Sequence, residues 1–225
     1  MQSNTSAKQF LLNCPSEFTH CDPTIEMTRV APHVSQFAVL PTAEVEETQC
    51  VDELITLFNQ TFKALNTRLV RGAGEPIYLP ADAQAHYHRI EFAHGFFNSA
   101  LHEVAHWCIA GEQRRQQVDY GYWYCPDGRN DEQQQAFEQV EVKPQAIEWA
   151  FSTSAGRFFR VSTDNLAGVE PDRTAFAHKV SNALQHYLQH GFPSRAHQFI
   201  DALHTHYQTT PLTLELCLLH SKDFN

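Results

Sequence analysis

Leu101-His102-Glu103-Val104-Ala105-His106-Trp107 is the stretch that fixes the fold around it. His102, Glu103 and His106 form an H-E-x-x-H pattern. Positions four apart on a helix share one face, one turn apart. Two imidazoles placed that way can grip a single metal ion, and Glu103 projects beside them, where it could take a proton from a metal-bound water. The chain has 14 His and 16 Glu in 225 residues, so a shuffled sequence would hold roughly 0.06 such patterns. The competing interpretation is two half-buried histidines on an amphipathic helix. Ala100, Leu101, Ala105, Cys108 and Ile109 make this helix largely apolar. Polar groups set in such a surface need partners, and a metal is an efficient one.

Upstream, His86 to Ala93 holds Tyr87, Ile90 and Phe92 and is expected as a strand entering the site. His94-Gly95 then turns into the motif helix, expected over Phe97 to Ala110 and stopped by Gly111. Strand, tight turn and helix place His94 near the metal, as a third ligand, a capping group or, by preference, a hydrogen-bonding group behind the ligands. Ile77-Tyr78-Leu79, between Pro76 and Pro80, reads as an edge strand. Thr67 to Val70 reads as a short strand, and Arg71-Gly72-Ala73-Gly74 as a plain turn. Val51, Leu54, Ile55, Phe58, Phe62 and Leu65 recur at helical spacing, with an end expected near Asn66.

Downstream, Tyr120, Tyr122, Trp123 and Tyr124 could form an aromatic wall facing a substrate or a small core beneath a loop. Asp131 to Phe151 returns to helical spacing, with Phe137, Val140, Ile147 and Phe151 as an apolar stripe. Pro144 is expected to kink or break that helix. Glu138, Glu141, Gln145 and Glu148 form a polar stripe along it. Two imidazoles need a carboxylate to complete a two-His, one-carboxylate set, and this is the densest acidic helix downstream. Glu141, just before Pro144, is the first choice and Glu138 the second. Phe176, Val180, Leu184, Tyr187 and Leu188 mark a further helix ended by Gly191. Ser194 is expected to cap a last helix carrying Phe199, Ile200, Leu203 and Tyr207, with His178, His186, His190, His197, His204 and His206 on the surface.

Composition bounds the function. The chain is 42% hydrophobic and 19% charged, with a net charge of −10, as befits one soluble domain with an appendage. That charge disfavours a nucleic-acid backbone and an anionic membrane surface, and suits a cationic, lysine-bearing substrate. Met1 to Phe18 lacks a continuous apolar run, and no stretch is long enough to span a membrane. The six cysteines form no C-x-x-C pair. A cytoplasmic protein with reduced thiols is expected. Residues 1–50 show no clear period and are expected as a poorly ordered extension, ahead of a metal-dependent domain over residues 51–225. The expected fold class is α+β: a mostly helical single domain with a small sheet and a metalloprotease-like metal helix.

Two chemistries fit the set. With zinc, the site activates water for hydrolysis and Glu103 is the general base, as in a zinc-dependent peptidase. With ferrous iron, the same ligand types form a facial triad that serves O2 chemistry.

Longer motifs distinguish these chemistries. Glu75-Pro76-Ile77-Tyr78-Leu79-Pro80-Ala81-Asp82, Arg89-Ile90-Glu91-Phe92-Ala93-His94-Gly95-Phe96, the continuation from Leu101 to Gly111, Gly121-Tyr122-Trp123-Tyr124-Cys125-Pro126-Asp127-Gly128-Arg129 and Val140-Glu141-Val142-Lys143-Pro144-Gln145-Ala146 follow in order. Together they closely resemble the elongation factor P hydroxylase family, from about Val51 to about Pro211. The resemblance implies an oxygen-dependent hydroxylase of the β-lysylated lysine of elongation factor P. It implies Fe(II) as the metal, with Zn as the alternative in purified protein, and O2 as co-substrate. It carries over His102 and His106 as metal ligands, Glu141 as the third, and Glu103 as the catalytic candidate by position, although an oxygenase needs no water-activating base. Elongation factor P is the expected partner, with no nucleic acid and no membrane. Glu91, Glu138 and Asp119 are candidates to orient the substrate ammonium. Arg89 and Lys143 are the candidates for a 2-oxoglutarate contact, and no motif names an electron donor.

Overall fold

The computed structural model describes residues 43–93, 95–119 and 127–224. Six helices and three short strands make up these residues, in the order α1 (Ala43–Thr61), β1 (Thr67–Arg71), β2 (Ile77–Leu79), β3 (His88–Phe92), α2 (Phe97–Ile109), α3 (Asp131–Ser154), α4 (Arg173–His190), α5 (Ser194–Tyr207) and α6 (Leu214–Leu219). This is the expected α+β class, mostly helical with a small sheet. No helix among the described residues is long and apolar enough to cross a membrane.

Helix α1 begins at Ala43, ahead of Val51, so the acidic run at Glu44 to Thr48 is its first part. Its inner face buries Val51, Leu54 and Phe58. Asn59 ties it to the sheet by accepting from the Leu69 amide at 2.8 Å. The sheet order is β1-β3-β2, with β1 parallel and β2 antiparallel to the central β3. Alternation works as expected on β3, where Ile90 and Phe92 are buried. Edge strand β2 gains one more partner. Tyr78 and Asp119 exchange backbone hydrogen bonds of 2.7 and 3.0 Å, which folds the segment after α2 back onto the sheet.

Helix α2, which carries the H-E-x-x-H pattern, is held at both ends by side chains from elsewhere. Gly95 turns the chain at φ +68°, a left-handed conformation glycine tolerates. No side chain of the helix itself caps its start. Glu47 of α1 accepts from the Phe97 amide at 3.1 Å instead, placing a carboxylate on the positive end of the helix. At the other end Gly111 takes no left-handed turn; Ala110 leaves the helix in extended conformation. The orphan carbonyls go to Arg195 of α5, whose Nη2 donates to Trp107, Cys108 and Ala110 at 2.8, 2.9 and 2.7 Å. Between these ends Leu101, Val104, Ala105 and Cys108 are buried against the core.

Three expectations are corrected. Helix α3 runs unbroken through Pro144, which lies buried inside it. A lost interior bond costs about 3 kcal/mol. That loss is offset by a capping box at Asn130 and Gln133 and by a long buried face that includes Ile147, Trp149 and Phe151. Ser194 is the first helical residue of α5 rather than its cap; Pro193 holds the cap position, as its fixed φ suits a helix entrance. Helix α5 is also not the last. The six-residue α6, capped by Thr213, buries Cys217 and supplies the carbonyl to which Trp149 Nε1 donates at 2.9 Å. Cys50, Cys108 and Cys217 carry free thiols.

Candidate metal centre

The helical spacing sets His102 and His106 one turn apart on the half-buried side of α2, and the packing of α3 brings a carboxylate across to them. His102, His106 and Glu141 each offer one donor atom, all within 4.8 Å of one another, a set that could hold one metal ion. The two Nε2 atoms are 3.0 Å apart. Glu141 Oε1 lies 3.2 Å from His106 Nε2, and its Oε2 lies 3.6 Å from His102 Nε2. Atoms that share an ion at roughly 2.0–2.2 Å are spaced in this way.

The electrostatics suit a cation. Glu141 is 2% exposed. Burial alone would raise its carboxyl, but His102 and His106 outweigh burial and hold it at about 2. Burial also opposes the charged form of His102, yet Glu141 and Glu148 push its pKa up to about 10. A buried carboxylate facing two ring nitrogens that nearly touch needs a positive species between them. Protons serve without metal, and a divalent ion meets the same need.

Behind the donors, Nδ1 of His102 donates to Glu148 Oε2 at 2.8 Å. That bond fixes the proton on Nδ1 and frees Nε2 to be a ligand. Gln145 steadies Glu141 by donating to Oε2 at 3.0 Å, and is itself tied to Ser162 through 2.8 and 3.0 Å bonds. Glu141, Gln145 and Glu148 thus work as one face of α3. Sequence reasoning placed Gln145 and Glu148 on a polar stripe without giving either a role. Their i, i+4, i+7 spacing from Glu141 was the available signal.

The other candidates fall elsewhere. Glu138 accepts from Lys179 at 2.9 Å and lies outside the donor cluster. Glu91 sits 4.0 Å from Arg89, and Arg89 is already paired with Asp82 at 2.9 Å. Lys143 is exposed. His94 and the aromatic residues 120–126 lie outside the described residues. His204 is half-buried rather than superficial, with Nδ1 2.7 Å from Thr209 Oγ1.

A cavity of about 230 Å³ opens beside His106, lined by Glu103, Tyr78, Ile90, Trp107 and Asp119 among others. Asp119 is engaged by Arg114. Glu103 has no hydrogen bond or ion pair among the described residues, and burial raises its carboxyl above the usual range. The cavity therefore presents one open carboxylate next to the donor set.

Comparison with known proteins gives the family. The family model described as elongation factor P hydroxylase matches residues 57–217. The chain is 49% identical over 160 residues to the elongation factor P lysine hydroxylase of Haemophilus influenzae, covering 71% of this chain and 90% of that relative. By these matches the chain belongs to the elongation factor P hydroxylase family.

Proposed function

We propose that the chain hydroxylates the β-lysylated lysine of elongation factor P, using O2 at a non-haem iron held by His102, His106 and Glu141. The observation that carries this is the convergence of two imidazoles and one buried carboxylate within 4.8 Å, in a chain of this family. Bound ferrous iron would activate O2 for hydroxylation of a C–H bond, with the two further electrons that the second oxygen atom needs coming from an external reductant. The residues present fit such an ion, because imidazole and carboxylate are donors it accepts, and the cluster leaves positions for other ligands.

The protein's own groups do the rest. Glu148 keeps the His102 ring oriented through Nδ1, and Gln145 keeps Glu141 turned toward the imidazoles. Glu103 receives the cationic end of the lysyl side chain in the adjoining cavity. Ile90, Ile109 and Trp107 exclude water along the apolar stem. A substrate that is a translation factor places the reaction in the cytoplasm.

The test is the mass of elongation factor P carrying the β-lysyl group, after incubation with iron-loaded protein, O2 and a chemical reductant such as ascorbate. A gain of one oxygen atom, absent with His102→Ala, is the expected result. Unchanged substrate, together with peptide cleavage by the zinc-loaded protein, would favour the H-E-x-x-H hydrolase and overturn the hydroxylase.

A further inference from the structure

The geometry points to a second binding site, for a small oxyanion of the carboxylate or phosphate class, on the far side of the wall that bounds the substrate cavity. The wall is formed by Tyr78, Trp107 and Arg115, which line both the cavity beside His106 and a separate one of about 400 Å³. The second cavity also takes in Arg195 and Ser194, where α5 begins.

Two guanidinium groups meet here without a counter-ion. Arg115 and Arg195 both donate to the Ala110 carbonyl. Neither has a carboxylate within ion-pairing distance among the described residues. In a chain of net charge −10, acidic partners are plentiful, and Arg71, Arg89, Arg114, Arg157 and Arg173 each have one. Glu112, exposed at the rim of the same cavity, pairs with neither. Like charges held together disfavour each other, and burial followed by the Arg115 charge draws the Arg195 pKa down.

The donors left over are of one kind. Trp107 is 4% exposed, and its Nε1–H is buried without an acceptor among the described residues. Arg195 Nε–H is also buried and unpartnered. Buried donors are nearly always satisfied, and these two belong to residues lining the same cavity, where a bound acceptor would serve them. A planar or tetrahedral oxyanion is that acceptor. It neutralises both guanidinium groups and takes the spare N–H groups, which a cation or an apolar ligand cannot do.

The site is independent of the proposed hydroxylation and is tested by binding alone. Metal-free full-length protein is titrated with sodium succinate and, separately, with inorganic phosphate, at ionic strength held constant with chloride. Calorimetry and tryptophan fluorescence report binding. Saturable one-site binding of at least one of the two is expected, weakened at least tenfold in Arg115→Gln. The succinate and phosphate arms assign the anion class. Arg115 is half-exposed, so that variant should fold, and Arg195→Lys gives a second check, with circular dichroism confirming folding of both. Failure of both anions to saturate beyond the chloride control, or equal affinity in wild type and the two folded variants, would overturn the site.

Discussion

His102 Nδ1 and Glu148 Oε2 are joined by a 2.8 Å hydrogen bond that links the metal helix to the far end of the acidic face of α3. A carboxylate can only accept, so the imidazole must donate through Nδ1, and its Nε2 faces Glu141 at 3.6 Å, where the proton it carries without metal is the one an ion would replace. Glu148→Leu should therefore weaken metal binding without removing a ligand. Loss of such an orienting partner costs about 10- to 100-fold in affinity. Glu148→Gln keeps an acceptor oxygen and should recover most of it. Competition with a chromogenic chelator measures the affinities, and equal affinity in Glu148→Leu and wild type would rule out the orienting role.

Arg195 spans from α5 to three carbonyls at the end of α2. It is also 4.8 Å from the centre of the Trp107 ring. Arg195→Met keeps much of the stem but removes the charged donor. The loss of charged hydrogen bonds to a helix end should lower unfolding free energy by about 1.5–3 kcal/mol. Urea denaturation gives the value. Hydrogen exchange should localise the loosening to Trp107, Cys108 and Ala110; a uniform change across the chain would contradict it.

The contrast between these two residues shows what the sequence can carry. The spacing of His102 and His106 is local, so one turn of helix was readable from the residues themselves. The apolar periods of α1, α2, α4 and α5 were equally local, as was the alternation of β3. Glu141 faces the imidazoles only because α3 packs across α2, and the acidic stripe offered it alongside Glu138 and Glu148. The stripe gave the face, but the helix packing decided that Glu138 meets Lys179 while Glu148 meets His102. Arg195 could not be read at all, because its partners lie more than 80 residues away in the chain. Of the kink or break expected at Pro144, the break is absent for a related reason: a local rule gave way to burial along α3. Helix α6 is six residues long, too short to show a period.

Under the proposed function, Glu103 contacts the substrate and not the metal. Its carboxylate lines the cavity, outside the three-donor cluster. Glu103→Gln should keep full metal occupancy by elemental analysis. The loss of a charged contact to the lysyl ammonium, worth about 1.5–3 kcal/mol, should lower kcat/KM for hydroxylation by roughly 10- to 100-fold. A raised KM is expected to account for most of it. Metal loss in this variant would instead make Glu103 a ligand.

The convergence of donors on Glu141 gives metal binding a signature in stability. The buried carboxylate and the paired imidazole nitrogens converge within 4.8 Å, and the unfolded chain cannot reproduce that convergence. An ion that binds only the folded state adds about 2.7 kcal/mol at a free concentration of 100 Kd. Zinc, buffered at that level, should therefore raise the urea midpoint of wild-type protein, and a chelator should reverse the gain. Glu141→Ala removes one donor and should lose most of the zinc response at the same free concentration. Glu138→Ala should retain it, because Glu138 lies outside the cluster and is held by Lys179. A full zinc response in Glu141→Ala, or its loss in a folded Glu138→Ala, would move the third ligand away from Glu141.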